Sequence, residues 1–286
     1  MSDPASEADW RPGQVRRIDA TSNPLIKRIR GLALKKNRDE AGEFLAEGLK
    51  LLTDALDGDW PVRVVLYAAE AARDAAVAAV AARARARGAM VLEASRKVME
   101  AVGRRDNPQT VMAVVAQRHA DAAAIRPKAG ELWIGLDRVR DPGNLGTILR
   151  TADCVGAAGV LLIGDTTDPF STEAVRATMG SVFHVPLARL SQAEFLPWRK
   201  SWPGLVAGTH LRGSVDYRAP AWAGETVLLL MGNEQRGLPD ELAGACDVLC
   251  RIPMAGQADS LNLASATAVM AYEIRRHAFP QEGLLA

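Results

Sequence analysis

The stretch Leu136-Asp-Arg-Val-Arg-Asp-Pro-Gly-Asn-Leu-Gly-Thr-Ile-Leu-Arg150 decides the fold, because it runs an apolar strand through a tight turn into a helix. Residues 132–136 are a short apolar run. Pro142-Gly143 supplies the backbone angles a turn needs, and Asn144 is a preferred helix N-cap, so a helix is expected from Leu145. Leu145, Ile148, Leu149, Ala152 and Val155 follow the i, i+3, i+4, i+7 pattern of a buried stripe. Arg150, about 140° round from Leu145 at roughly 100° per residue, falls off that stripe and is free to do something other than pack.

Similar runs recur downstream. Residues 160–163, 182–187, 205–207, 227–231 and 248–252 are short, continuous and apolar, separated by helix-length segments, as in a parallel sheet covered on both faces. Upstream, Asn23-Pro24 reads as a cap with proline at the first helical position, followed by Leu25, Ile26, Ile29, Leu32 and Leu34 on a helix with basic residues outward. Residues 43–56 are expected as a second helix, 62–67 as a strand, 68–87 as an Ala-rich helix, and 90–92 and 110–116 as further strands. The expected organisation is a disordered leader at 1–13, a small α/β domain at 14–117, a linker at 118–130, a parallel-sheet domain at 131–279 and a tail at 280–286.

With 286 residues the chain is long enough for two domains, each burying its own core. Its 35 basic and 34 acidic residues nearly cancel, so bulk charge announces no polyanionic partner. The distribution does. Residues 11–38 hold nine Lys or Arg (Arg11, Arg16, Arg17, Lys27, Arg28, Arg30, Lys35, Lys36 and Arg38) against the single acid Asp19. A local basic stripe is the electrostatic footprint of a phosphate-backbone partner, the alternative being a solvated helix face. No apolar run reaches the roughly 18 residues of a membrane span and no signal-peptide core precedes the first domain, so a cytoplasmic protein is expected. Cys154, Cys246 and Cys250 are too few and isolated for a zinc site or a disulfide framework, and no metal is expected. Neither G-x-G-x-x-G nor G-x-x-x-x-G-K-[ST] occurs, which removes the main evidence for ordinary dinucleotide or P-loop binding.

Two further segments complete a set with the first: Leu228-Leu-Leu-Met-Gly-Asn-Glu-Gln-Arg-Gly-Leu-Pro239 and Ile252-Pro-Met-Ala-Gly-Gln-Ala-Asp-Ser-Leu-Asn-Leu-Ala-Ser265. In this order the three closely resemble the motifs of the SpoU (TrmH-like) RNA ribose 2′-O-methyltransferases of the SPOUT superfamily. The segment Asp168-Pro-Phe-Ser-Thr-Glu-Ala-Val-Arg-Ala-Thr-Met-Gly180 is similar to the one that family carries between its first two motifs. The resemblance implies a parallel-sheet domain with a C-terminal trefoil knot, preceded by a small α/β substrate-binding domain. It implies S-adenosyl-L-methionine as cofactor, RNA as substrate with rRNA favoured over tRNA, and a homodimer in which the first-motif Arg of one subunit approaches the cofactor of the other.

It also implies roles for particular residues. Arg150 acts on the ribose hydroxyl. Because a guanidinium almost never deprotonates, it suits the part of a donor to the developing oxyanion and of a clamp on the adjacent phosphate. Asn144 positions it, as well as or instead of capping its helix. Glu234, at the end of a very apolar strand, and Ser260 and Asn262, ahead of a small-residue helix, complete the candidate catalytic set. Gly208, Thr209, Gly232, Ile252 and Leu261 are expected to hold the cofactor, largely through main-chain groups. Lys27, Arg28, Lys35 and Lys36 are expected to meet RNA. The final helix, apolar or small nearly all round, must be buried on more than one side, by a dimer or within its own domain. Two other readings stand beside this one: a non-catalytic RNA-binding protein that kept the fold, and a small-molecule α/β enzyme using a nucleotide cofactor.

Overall fold

A computed structural model describes residues 11–210, 213 and 215–279. Most of the expected leader and all of the expected tail lie outside the described residues. The described chain forms two units, residues 11–118 with Phe170–Phe183 and His119–Pro169 with residues 184–279. Among the described residues no helix is long and apolar enough to cross a membrane.

The first unit is a five-stranded sheet with helices. Its elements are β1 (Val15–Ile18), α1 (Pro24–Gly31), α2 (Lys35–Ala41), β2 (Glu43–Glu47), α3 (Leu49–Asp57), β3 (Val62–Ala68), α4 (Ala75–Ala86), β4 (Met90–Ala94), α5 (Arg96–Gly103) and β5 (Val111–Ala116). The strand order is β1-β4-β3-β5-β2, parallel from β1 to β3 and antiparallel from β3 to β2. The helix after Asn23 begins as its cap predicts, with Asn23 Oδ1 accepting from the Leu25 N–H at 2.9 Å.

Two expectations are corrected here. Residues 43–47 are strand rather than helix, because Gly48, at φ +115, ends the run and the strand pairs with apolar β5. All five of its residues are buried, and its two carboxylates are met by arginines, Glu43 by Arg28 and Glu47 by Arg176. The Ala-rich helix begins at Ala75 rather than 68, where Asp74 accepts from the N–H groups of Ala76 and Val77.

Residues 170–183 join this unit through α6 (Thr172–Thr178) and a short 3₁₀ turn at Ser181–Phe183, where a strand had been expected. Phe170 and Phe183 pack on Phe44, with ring centroids 4.8 and 6.1 Å away, and the Trp60 indole donates to the Phe183 carbonyl oxygen at 3.0 Å. Aromatic burial, a long-range effect, overrides the local apolar run.

The second unit is a seven-stranded sheet in the order β10-β12-β9-β11-β6-β7-β8, parallel throughout. Its strands are β6 (Leu132–Asp137), β7 (Gly159–Ile163), β8 (Leu187–Leu190), β9 (Leu205–Thr209), β10 (Val215–Asp216), β11 (Val227–Met231) and β12 (Val248–Arg251). Its helices are α7 (Pro142–Cys154), α8 (Gln192–Arg199), α9 (Asp240–Ala243) and α10 (Leu263–Arg275). Strands β6, β7 and β11 are buried at every position, which is why they read as unbroken apolar runs. Residues 120–125, within the expected linker, are part of this unit: Ala120 bridges to Ala188, and Ala122 is buried and accepts from the Trp198 indole at 2.9 Å.

Candidate functional site

Strands β6 and β11 are parallel neighbours with Leu136 opposite Met231, so the loops that follow them emerge side by side. This is where an open parallel sheet places its ligands. The loop after β6 carries Arg140, Asp141 and Asn144; the loop after β11 carries Asn233 and Glu234. The Glu234 carboxylate accepts from the backbone N–H of Arg140 at 3.2 Å, from that of Asp141 at 3.1 Å and from the Asn144 side-chain amide at 3.3 Å. Asn233 adds a second tie, its Nδ2 donating to the Arg138 carbonyl oxygen at 2.7 Å. Partial burial works to raise the Glu234 carboxyl, but the N–H groups of Glu234 itself, Asp141 and Arg140 and the Asn144 amide outweigh it. They hold that carboxyl below the ordinary carboxylate range.

The third segment closes the set. Asn262 Nδ2 donates to Asn144 Oδ1 at 2.9 Å, while Asn262 Oδ1 caps α10 by accepting from the N–H groups of Ala264 and Ser265. Glu234, Asn144 and Asn262 therefore form one hydrogen-bonded chain across the three segments. The expected helix start is corrected by this geometry. Asp141 is the N-cap of α7, its Oδ1 accepting from the Asn144 N–H at 2.6 Å, and Pro142 opens the helix. Proline lacks an N–H and its φ suits the first helical position, so the start moves ahead of Leu145 and leaves the Asn144 side chain free for the network.

Next to this network lies a cleft of about 530 Å³ at the ends of β9, β11 and β12. Of the residues expected to hold a cofactor, Thr209, Gly232, Ile252 and Leu261 line it, as do Glu234 and Ser260. Gly208 does not. A Cβ there would meet Cys246 Sγ at 2.7 Å and Leu238 Cδ2 at 2.8 Å, so this glycine serves close packing behind the cleft. At Gly232 a Cβ would fall 2.1 Å from the Gly237 carbonyl carbon, inside the turn closed by the Asn233 and Gly237 backbone pair. Met231, Leu238, Met254, Asn233, Gln235 and Arg236 complete much of the wall. Their sequence signal was membership of the same two segments, which single-residue reading passed over. The volume falls within the roughly 300 to 1,000 Å³ usual for small-molecule sites. A lining that sets Leu238, Ile252 and Leu261 beside polar Asn233 and Ser260 suits an adenosyl group, which has an apolar ring and a polar ribose.

Arg150 is exposed on α7, whose Leu145, Ile148, Leu149 and Ala152 are buried. Among the described residues its side chain makes no hydrogen bond or ion pair, and it does not line the cleft. The expected RNA-contact residues are less uniform. Lys27 is exposed, but Lys35 is paired with Asp39 at 2.7 Å, Lys36 with Glu40 at 3.8 Å and Arg28 with Glu43 at 3.3 Å. Arg38, from the same stripe, is buried and donates to the carbonyl oxygens of Leu32 and Ala33.

Comparison with known proteins gives concordant matches for both parts of the chain. Residues 131–272 match the model of the SpoU rRNA Methylase family, and residues 23–113 match the MRM3-like substrate binding domain. The chain is 34% identical over 251 residues to the 23S rRNA (uridine(2479)-2'-O)-methyltransferase of Streptomyces viridochromogenes, covering 86% of each protein. It is 30% identical over 261 residues to the 23S rRNA (guanosine(2553)-2'-O)-methyltransferase RlmP of Bacillus subtilis, covering 91% of this chain and 100% of that one. The AdoMet-bound rRNA methyltransferase of Sinorhizobium meliloti superposes with a TM-score of 0.87 at 52% identity, covering 93% of this chain and 100% of that one.

Proposed function

The chain belongs to the SpoU rRNA methylase family, and from that premise we propose that it methylates the 2′-hydroxyl of a ribose in ribosomal RNA, with S-adenosyl-L-methionine as methyl donor. The single observation that carries this reading is the chain of hydrogen bonds from Glu234 through Asn144 to Asn262, set beside the cleft. A non-catalytic relative has no need to keep all three side chains in register.

Thr209, Gly232, Ile252 and Leu261 would hold the cofactor, through main-chain groups and an apolar wall. When bound, it supplies the methyl group as an electrophilic sulfonium substituent. The protein's own task is to orient the ribose hydroxyl and to favour the negative charge that gathers on its oxygen. Arg150 suits that task as a donor, and its planar fork also fits the adjacent phosphate. Glu234 and Asn262 hold Asn144 and the start of α7, and thereby the helix that carries Arg150. Ser260 completes the set from the rim of the cleft.

Arg150 lies outside the lining of its own chain's cleft, which supports a composite site in a homodimer, with Arg150 of one subunit serving the cleft of the other. The exposed Leu261 and Tyr272, the latter on α10, favour the same reading. Strand order supports a knotted C-terminal region, since β12 returns between β9 and β10 before the chain reaches α10, which packs on α7. Action on ribosomal RNA favours a cytoplasmic location.

Incubation of the protein with labelled S-adenosyl-L-methionine and 23S rRNA, followed by mapping of 2′-O-methyl groups, tests the proposal. Transfer to one ribose is expected. Absence of transfer, or label on a base, would overturn it.

A further inference from the structure

We infer that the first unit grips the RNA backbone in a hollow between α1 and α5, through Arg30, Lys97, Arg104 and Arg105. The inference rests on the proposed rRNA substrate and adds to it the surface that holds that substrate. The hollow has a volume of about 460 Å³, and all four cations line it. Each is exposed, and among the described residues none of the four side chains makes an ion pair or a hydrogen bond.

The local structure explains why they gather. On α5, Lys97, Ala101 and Arg104 follow i, i+4, i+7 and share one face, while Val98, Met99 and Val102 are buried on another. Arg104 ends that helix at φ +53, a left-handed conformation that non-glycine residues seldom adopt. The turn it makes places Arg105 on the same hollow. Arg30 comes from α1, which packs against α5, and Lys27 stands one turn before it. The acids nearby do little to neutralise the group: Glu100 is engaged by Arg96 at 2.9 Å, which leaves Asp106.

The charge pattern favours this surface over the helix that follows α1. Lys35 and Lys36 already have carboxylate partners, so a phosphate reaching them must compete with Asp39 and Glu40. Unpaired cations around a hollow repel one another, and a bound phosphate backbone removes that cost while it releases its own counterions. Arginine at three of the four positions adds the planar fork that phosphate oxygens accept.

The test uses the full chain with protein-free 23S rRNA, and reads affinity from low to moderate salt. Arg30→Gln, Lys97→Gln, Arg104→Gln and Arg105→Gln together are expected to lower the slope of log affinity on log salt by about 3, at 0.7 to 0.9 per phosphate contact. The exposed control pair Arg73→Gln and Lys200→Gln should change it by less than about 1. Binding of S-adenosyl-L-methionine should be unchanged in the fourfold variant, which shows that the fold is intact. If that variant fails to fold, the pair Arg30→Gln and Lys97→Gln replaces it, with an expected loss of about 1.5. A slope equal to wild type, or a loss per charge no larger than in the control, would overturn the inference. Failure of the wild-type protein to methylate 23S rRNA would instead overturn the reading on which it rests.

Discussion

Asn262 donates to Asn144 at 2.9 Å across 118 positions of chain, and so ties the cap of α10 to the first turn of α7. Each asparagine uses both ends of its amide. Asn262 caps its helix with its oxygen and donates with its nitrogen; Asn144 accepts with its oxygen and donates to Glu234 with its nitrogen. An arrangement that uses both ends leaves no freedom to flip either group.

Because of this, Asn144→Asp should be more damaging than Asn144→Ala. The aspartate replaces a donor facing Glu234 with a second carboxylate, whereas alanine merely leaves a gap. In a double-mutant cycle, Asn144→Ala and Asn262→Ala should couple by about 0.5 to 1.5 kcal/mol in the free energy of methyl transfer. Additive losses in kcat/KM would show that the contact does not matter to the reaction.

The Glu234 carboxyl sits below its ordinary range, so the sign of its pH dependence follows. The stabilisation it provides is fully present above the ordinary carboxylate pKa and is lost as pH falls through the depressed folded value. Cofactor affinity in the wild-type protein should accordingly hold from neutral pH to the ordinary carboxylate range and fall below it. Glu234→Gln should bind more weakly at neutral pH and lack that acid-side loss, as titration calorimetry at stepped pH would reveal.

Arg150→Ala should lower methyl transfer by about 10²- to 10³-fold, the usual loss for one donor to a developing oxyanion. Cofactor affinity should stay within a few-fold, since the proposed partners of this guanidinium are the ribose oxygen and the phosphate rather than the adenosyl group. Arg150→Lys should be nearly as damaging, because a point charge cannot reproduce a planar fork. Full activity of the lysine variant in a single-turnover assay would remove Arg150 from the proposed role.

If the site is composite, an inactive Arg150→Ala protein and one whose cleft is filled by Thr209→Trp should regain partial activity when mixed and allowed to exchange subunits. One of the two sites in each mixed dimer would then pair an intact Arg150 with an intact cleft. Demonstrated exchange without recovered transfer would argue for a site completed within one chain.

In the first unit, Arg176 Nη2 lies 2.6 Å from both oxygens of Glu47, whose side chain is 2% exposed. Arg176→Met strands a buried carboxylate and should cost about 3 kcal/mol, the low end for a broken buried pair because the arginine is 29% exposed. Adding Glu47→Met should recover most of that loss in urea unfolding. A double variant as unstable as the single would mean that the pair is not what the segment at 170–183 depends on.

Much of this protein was legible without coordinates. The apolar runs of β6, β7, β9, β11 and β12, the cap at Asn23, the stripe on α7 and the three segments that carry Asn144, Glu234 and Asn262 are written in residue types a few positions apart. Local chemistry of that range acts through backbone angles and helix or strand periodicity, so neighbours in sequence suffice to read it. Even the pairing of Lys35 and Lys36 with Asp39 and Glu40 follows the i, i+4 spacing of a helix, with both acids just past the end of the basic stripe at Arg38.

Tertiary structure decided the rest. Residues 43–47 carry a pattern that serves helix or strand, and became strand because β5 offered a partner and arginines offered charges to two buried glutamates. Segment 170–183 joined the first unit because Phe170 and Phe183 found Phe44 and Trp60, far away in sequence. Gly208 lies outside the cleft lining, and a side chain there would meet Cys246 and Leu238. The unpaired cations of α1 and α5 came together only through helix packing. In each case the deciding term is a contact between distant positions, whose energy depends on the filled volume or the facing charge, and that is set by the folded chain as a whole.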